Sequence, residues 1–277
     1  FGSVAYGVKN NGFDYFFLIF YSQVMGVSAY LVSLALLIAL VVDALSDPLI
    51  GYMSDNTRSR WGRRHPFMYA AALPVAVAYY FVWNPPSGLS GDALFPYIVT
   101  VAVLVRTLIT LYEIPSSSLV AEMSDDYDER TTMLSYRYFF GWTGGTLMGA
   151  FATIVVLVPT ETISNGMFNV EAHGQVGAIA AGVIFFAILI SALGTHGMIP
   201  ELKPPPAARK LGIGLIYREV FETLASRSFL ALFLAALFGA IASGVSTTLS
   251  FYFSTFFWGF STEQIGLIAL SVVVSAV

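Results

Sequence analysis

The sequence predicts an all-α polytopic membrane protein, and two observations support this prediction. The first is composition: 57% of the 277 residues are hydrophobic and 11% are charged, with a mean hydropathy of +0.75. A soluble globular protein has roughly a quarter of its residues charged. The second is the recurrence of apolar runs of about 20 residues or more, the length that crosses a bilayer as a helix. A β-barrel would instead show alternating segments of about ten residues.

Seven apolar runs have spanning length, and an eighth begins near Thr262 and continues to the end of the sequence. The seven runs cover residues 2–25, 28–53, 66–83, 94–123, 131–158, 176–199 and 229–257. Short hydrophilic connections separate them. Because the sequence starts at Phe1 and stops at Val277 inside apolar runs, we expect it to be a piece of a longer chain.

Basic residues occur in alternate loops, as the positive-inside rule describes. Arg130 follows the fourth run, and four arginines follow the second: Arg58, Arg60, Arg63 and Arg64. The segment after the sixth run contains Lys203, Arg209, Lys210, Arg218 and Arg227. The intervening loops contain no Lys or Arg. The pattern predicts a multi-pass protein of the cytoplasmic (inner) membrane, with the N-terminus of the first run in the cytoplasm.

The longest connection divides the chain into three regions. Residues 1–199 predict an N-terminal six-helix transmembrane bundle, residues 200–228 a cytoplasmic linker, and residues 229–277 the beginning of a C-terminal bundle. The linker is expected to be stiff where three prolines are adjacent, Pro204, Pro205 and Pro206. Its second part predicts an amphipathic surface helix from the helical spacing of Ile213, Ile216, Val220, Phe221 and Leu224. Six spans, a linker and further spans are the layout of one transporter half joined to the start of another.

Two aspartates lie in the second run, within "VVDALSDPLIGYMSDNTRSRWGRR". Asp43, Ser46 and Asp47 share one helix face and span about 6 Å along its axis. Two ionised carboxylates at this spacing are costly in a low-dielectric interior unless a cation or proton joins them. The pair therefore predicts a site for Na⁺ or H⁺. Alternatively, one aspartate caps a helix break at Pro48 and the other pairs with an arginine of a neighbouring span.

A polar stripe follows the fourth run at helical spacing: Arg106, Thr110, Glu113 and Ser117. Thr110 offers a neutral oxygen to a hard cation, and Glu113 can accept hydrogen bonds from a polyhydroxylated substrate. The alternative is an ion pair between Arg106 and Glu113 that only locks helices together.

The fifth run combines an arginine with small residues. Gly141, Gly144, Gly145 and Gly149 predict close helix packing. Arg137 either extends to the membrane interface or neutralises Glu113 or the aspartate pair. In the seventh run a row of hydroxyl groups indicates a wet cavity wall, although such groups also bond to their own helix. These residues are Ser243, Ser246, Thr247, Ser250 and Ser254.

The basic loop after the second run resembles the loop between the second and third helices of the major facilitator superfamily. The resemblance rests on Gly51, Asp55, Arg58, Gly62, Arg63 and Arg64. It implies a cytoplasmic latch, in which Asp55 meets a helix N-terminus or an arginine and separates from it during transport. The alternative is a loop that merely obeys the positive-inside rule.

Two longer stretches make the resemblance more specific. "DALSDPLIGYMSDNTRSRWGRRHPF" and "YEIPSSSLVAEMSDDYDERTTMLSYRYFF" resemble the glycoside-pentoside-hexuronide:cation symporter family. The resemblance implies the major facilitator fold, with about eight of twelve spans in this chain, and Na⁺- or H⁺-coupled symport of a sugar, glycoside or uronide. It assigns the coupling cation to Asp43, Ser46, Asp47 and Thr110, and the substrate to Glu113 and Arg137.

The chain departs from the family pattern in several places. Ser46 replaces an amide, which leaves H⁺ coupling open, and Ser117 replaces a tryptophan that stacks on sugar. In the first run Gly7 stands opposite the family's sugar-binding aspartate, and Asp14 matches it only after a gap of about two helical turns. Lys9, Asn10 and Asn11 are polar enough to line the substrate site instead, and Lys9 favours an anionic substrate such as a uronide or sulfated sugar.

Other functions were weighed against transport of a sugar. A lipid or lysolipid carrier on the same fold would share the acidic pair. An intramembrane aspartyl protease needs aspartates on facing helices, whereas Asp43 and Asp47 lie on one. The sequence has no cysteine, nucleotide-binding loop or zinc-site spacing, so we expect no enzyme activity, cofactor or nucleic-acid partner, and no metal beyond Na⁺. The expected partners are a small-molecule substrate, Na⁺ or H⁺, and the lipid bilayer.

Overall fold

The computed structural model describes residues 1–161, 163–202 and 212–275, and these residues form helices joined by loops. We number the α-helices in chain order. They are α1 (Ser3–Asn11), α2 (Ala29–Asn56), α3 (His65–Trp83), α4 (Phe95–Met123), α5 (Tyr127–Phe151), α6 (Val170–His196), α7 (Ile213–Leu224), α8 (Arg227–Tyr252) and α9 (Thr262–Ser275). Short 3₁₀ turns lie at Gly91–Leu94, Gly166–Phe168 and Ile199–Glu201.

Three of these helices continue as wider π-helical turns, which rotate the register of the residues that follow. The π-helical segments are Gly12–Phe17 and Phe20–Val24 after α1, Ala152–Val156 after α5, and Phe253–Phe257 after α8. Among the described residues, six helical stretches are long and apolar enough to cross a membrane. They are Ala29–Asn56, His65–Trp83, Gly91–Met123, Tyr127–Val156, Val170–His196 and Arg227–Phe257. The first predicted span is also helical, but it is divided among shorter α- and π-helical pieces.

The first six helices form one bundle with a continuous apolar core. α3 packs between α4 and α6, α1 packs against α5 and α6, and α2 packs against α4. Large side chains with almost no exposed surface fill the centre, among them Tyr21, Tyr112, Phe17, Phe20 and Met68. Many apolar side chains also face outward, as expected for a multi-pass membrane protein.

The glycine-rich face of α5 packs directly against α1. A Cβ atom on Gly7 would overlap the carbonyl oxygen of Gly141, and one on Gly145 would lie 2.6 Å from the carbonyl oxygen of Gly7. The two backbones therefore approach as closely as the small-residue pattern predicted. No side chain therefore fits at Gly7 unless α1 and α5 move apart.

The later helices attach to this bundle at different places. Phe251 of α8 packs against the rings of Tyr15 and Phe16, with ring centroids 5.3 and 5.1 Å apart. α9 packs against the end of α5, where a Cβ atom on Gly266 would lie 2.5 Å from Thr153 Oγ1.

The predicted linker is described in part. α7 forms over the range predicted to be amphipathic and packs against α2, with the Tyr217 hydroxyl donating to the carbonyl oxygen of Leu45. Pro204, Pro205 and Pro206 lie outside the described residues, as do the side chains of Ile213, Ile216 and Val220.

Candidate functional site

The acidic residues of α2 face the polar stripe of α4. Arg106 donates from Nε to Asp43 Oδ2 over 3.1 Å, and Thr110 donates from Oγ1 to Asp43 Oδ1 over 3.1 Å. The side chains of Arg106 and Asp43 are 17% and 19% exposed. Asp43 is thus fixed by one charged and one neutral donor from the facing helix. Arg106 thus pairs with Asp43 and not with Glu113, the partner considered as an alternative.

Asp47 lies one helical turn beyond Asp43 and is much less satisfied. Its Oδ1 atom is buried and has no hydrogen-bond partner among the described residues. A buried carboxylate oxygen without a partner pays its full desolvation cost, so it favours a cation or a proton. Ser46 donates its hydroxyl hydrogen to the Asp43 carbonyl oxygen over 3.1 Å, which leaves the lone pairs of Ser46 Oγ available. The two aspartates, Ser46 and Thr110 therefore form an oxygen-rich site with one unsatisfied acceptor.

A second charged pair lies between α4 and α5. Arg137 donates from Nη2 to Glu113 Oε1 over 2.6 Å and from Nη1 to Ser116 Oγ over 3.1 Å. Glu113 Oε2 is buried and has no hydrogen-bond partner within the described part of the chain. Arg137 therefore neutralises Glu113 in this structure and does not extend to the membrane interface.

Two adjacent serines of α4, Ser116 and Ser117, have different environments. Ser117, predicted to contact substrate, is exposed and has no side-chain hydrogen bond within the described residues. Ser116 is buried and contacts Arg137 instead. The sequence contains the signal for this residue, because Ser116 follows Glu113 at i+3 and so lies near it on the helix surface.

The polar residues of the first helix are spread around it. Lys9 is 2% exposed, with Nζ 4.8 Å from the centre of the Tyr6 ring, and it forms no ion pair with a described carboxylate. Asp43, Asp14 and Glu113 attract its charge and Arg106 repels it. Burial of an ammonium without an ion-pair partner is costly, and here only carboxylates at longer range offset its charge.

The other predicted substrate residues of this helix have three different environments. Asn10 is half-buried and makes no side-chain hydrogen bond within the described residues. Asn11 is half-buried and lines a cavity between α1, α5, α8 and α9. Asp14 is exposed. Asp14 lies five residues after Lys9, in the π-helical turn that starts at Gly12, and it acts on the Lys9 charge only at longer range.

The predicted latch residues lie at one end of α2 and α3. Arg64 pairs with Asp55 at 2.5 Å and with Glu122 at 2.8 Å, and it also contacts Ser54 Oγ. Arg63 pairs with Glu122 at 2.9 Å. Asp55 thus meets an arginine of its own loop, and the two arginines share one carboxylate at the end of α4.

Three other features complete this cluster. Gly62 has a φ of +71°, a conformation that L side chains rarely adopt, and it turns the loop back towards α3. Gly51 lies beside Ile114 of α4, and Arg58 is exposed. Glu122, which is 7% exposed and accepts from both arginines, was missed by the sequence reasoning. The signal for it was an acidic residue in the last turn of an apolar helix.

Comparison with known proteins shows the family to which this chain belongs. A family model described as MFS/sugar transport protein matches residues 1–277. An uncharacterized symporter of Synechocystis sp. is 30% identical over 266 residues, which cover 90% of this chain and 48% of the relative. The isoprimeverose transporter of Lactiplantibacillus pentosus is 30% identical over 179 residues, which cover 62% of this chain and 36% of the relative.

The name of a third relative specifies a lipid substrate. Sodium-dependent lysophosphatidylcholine symporter 1 of Xenopus tropicalis is 28% identical over 137 residues, which cover 49% of this chain and 26% of the relative. The chain spans about half the length, or less, of these relatives. The match over the whole chain and the helical fold confirm the resemblance drawn from the two sequence stretches: the chain belongs to the MFS/sugar transport protein family, among the glycoside-pentoside-hexuronide:cation symporters of the major facilitator superfamily.

Proposed function

We propose that the parent protein of this chain is a secondary active transporter that couples Na⁺ or H⁺ entry to uptake of a sugar, glycoside or uronide. The observation that supports it most is the pairing of Asp43 with Arg106 and Thr110 beside the unsatisfied Asp47. Transport takes place across the cytoplasmic membrane, with the N-terminus of the first span in the cytoplasm. The acidic site lies on a transmembrane helix, where ionisable residues usually mark a transport pathway.

The coupling step follows from charge balance around the two aspartates. Without the transported cation, Arg106 neutralises Asp43 and leaves Asp47 unpaired. An incoming Na⁺ or H⁺ neutralises Asp47, with Thr110 and Ser46 as neutral oxygen ligands in the case of Na⁺. The loaded site then has a different preference between outward-facing and inward-facing states, which is what coupling requires.

The substrate binds next to this site, between α4, α5 and α1. The unpartnered Glu113 Oε2 accepts hydrogen bonds from substrate hydroxyls, while Arg137 orients the Glu113 carboxylate. Lys9 lies within the electrostatic reach of the same residues and has no ion-pair partner among the described carboxylates. This favours a substrate with a carboxylate or sulfate group, such as a uronide.

The latch residues control access from one side. In this conformation Glu122 holds Arg63 and Arg64, and Arg64 also holds Asp55. Separation of these pairs lets the ends of α2, α3 and α4 move relative to one another as the bundles rock around the central site. The latch thus has two arrangements, paired and separated. Binding of the cation and the substrate shifts the equilibrium between them.

A lysolipid carrier on the same fold is the second candidate, favoured by the similarity to a lysophosphatidylcholine symporter. One experiment separates the two candidates. The full-length parent protein is reconstituted in vesicles, and uptake of isoprimeverose, methyl glucuronide and lysophosphatidylcholine is measured under imposed Na⁺ and H⁺ gradients. Gradient-driven uptake of a sugar supports the proposal. Uptake of the lysolipid without any sugar uptake favours the second candidate and contradicts the first.

A further inference from the structure

A cavity of about 140 Å³ lies between α1, α5, α8 and α9. It is displaced along α5 from the charged site: Trp142 lines it and follows Arg137 by five residues, about 7 Å along the helix axis. The residues that line the cavity include no charged side chain. A ligand group that occupies it is therefore expected to be neutral, because a charge would be desolvated there without compensation.

Three helices each present an i, i+4 pair of side chains to this cavity. The pairs are Asn11 and Tyr15 on α1 and its π-helical extension, Trp142 and Thr146 on α5, and Ser250 and Ser254 on α8 and its extension. Residues at this spacing project from the same side of a helix. Amide, phenol and hydroxyl groups thus converge on one space from three directions.

The hydrogen-bonding groups of these residues are unused within the described part of the chain. The side chains of Asn11, Tyr15, Thr146, Ser250 and Ser254 make no hydrogen bond to any described residue. Elsewhere in this protein, hydroxyls on helices bond to the carbonyl oxygen four residues earlier, as those of Thr100, Thr131 and Thr195 do; of the residues that line the cavity, Thr153 also does so. Polar groups that bond to no described residue are free to bind water or a ligand.

Aromatic rings complete the site. Trp142 is 66% exposed although it lines the cavity, and Tyr15 packs on Phe251, which closes one wall. An exposed indole beside hydroxyl and amide groups suits a ligand with an apolar C–H face and hydroxyl edges, as a pyranose ring has. Gly149 leaves room for the Asn11 amide, because a Cβ atom there would lie 2.5 Å from Asn11 Oδ1.

We infer that this neutral cavity is a second carbohydrate subsite. It takes an uncharged sugar ring of a disaccharide or larger glycoside, whose other ring binds beside Glu113 and Arg137. The inference rests on the proposed function, and it makes glycosides of at least two rings the preferred substrates. Trp142 stacks on the ring in this subsite, and Ser250 and Ser254 bind its hydroxyls.

The test compares one-ring and two-ring sugars in the full-length parent protein. Glucose, xylose and methyl glucuronide serve as one-ring probes, and melibiose and cellobiose as two-ring probes, each measured by cation-driven uptake or by competition with it. The variants are Trp142→Ala and a Ser250→Ala, Ser254→Ala double variant. Trp258→Ala is the matched control, because Trp258 is 64% exposed and does not line the cavity.

We expect half-saturating concentrations of two-ring sugars to rise about tenfold in both test variants, and those of one-ring sugars to change by less than about twofold. The double serine variant removes only hydroxyl groups, so it tests the subsite even where Trp142→Ala folds poorly. Equal effects on both classes, no effect on either, or a wild type that takes up only one-ring sugars would overturn the inference. A wild type that takes up no sugar at all contradicts the proposed function itself.

Discussion

Arg106 of α4 donates a hydrogen bond to Asp43 of α2 over 3.1 Å, while Asp47, one turn further along α2, has a buried oxygen without a described partner. Among the described residues, the protein thus supplies one direct ion-pair partner for the two carboxylates, and Lys9 acts on them only at longer range. Such a site is balanced when one more positive charge arrives, and this imbalance is the physical basis of the coupling that we propose.

Arg106 competes with the transported cation for the acidic pair. We predict that Arg106→Gln binds the cation about tenfold more tightly, because neither carboxylate then has a direct ion-pair partner among the described residues. The empty carrier should also reorient more slowly, since its interior carries more uncompensated charge. Cation dependence of uptake measures the first effect. Arg218→Gln on the exposed face of α7 is the matched control, and an unchanged or weaker cation affinity in Arg106→Gln contradicts the prediction.

Glu113 is expected to act on substrate rather than on the cation. Glu113→Gln removes the charge partner of Arg137 and should weaken apparent substrate affinity by about tenfold or more, because a charge-assisted hydrogen bond is lost. The apparent cation affinity should change much less. Ser117→Ala, which alters an exposed residue on the same helix, should behave as wild type. If Glu113→Gln loses cation coupling but keeps its substrate affinity, Glu113 acts on the cation and not on the substrate.

Lys9 should determine preference between acidic and neutral sugars. We predict that Lys9→Gln lowers uptake of methyl glucuronide relative to methyl glucoside by about tenfold, because the buried ammonium no longer offsets the substrate carboxylate. Direct competition between the two glycosides measures this ratio. An unchanged ratio in a folded, transporting variant means that Lys9 has a structural role only.

Glu122 should stabilise one state of the transporter. Glu122→Gln leaves Arg63 and Arg64 without their shared carboxylate, and removal of one partner of a buried pair costs about 3–5 kcal/mol in that state. Thermal stability and maximal uptake rate should both fall, while substrate binding affinity stays close to wild type. Arg58→Gln, an exposed arginine of the same loop, provides the control. Equal effects of the two substitutions would contradict a specific role for Glu122.

The fold follows from the sequence because apolar runs and loop charges are properties of composition and spacing. Helical spacing predicted that Asp43 and Asp47 share one face of α2, and the family resemblance grouped Thr110 of α4 with them. Glu122 was not predicted because its partners Arg64 and Arg63 lie 58 and 59 residues away in the sequence. Helical spacing indicates only contacts within one helix. Ser116, which contacts Arg137, was not noticed, because the polar stripe was followed from Glu113 to Ser117 at i+4 although i+3 also lies near Glu113. The π-helical turns after Asn11 rotate Asp14 relative to an ideal α-helix, which spacing alone does not reveal.

The central claim is tested most directly by Asp47→Asn in the full-length parent protein reconstituted in vesicles. Two rates are measured in parallel: uptake of the transported sugar driven by a Na⁺ or H⁺ gradient, and exchange of labelled for unlabelled sugar without a gradient. The account predicts that gradient-driven accumulation is lost while exchange continues, because the second charge of the acidic pair is needed only for coupling. Gradient-driven accumulation equal to that of the wild type would show that the pair is structural, and the proposed coupling site would be wrong.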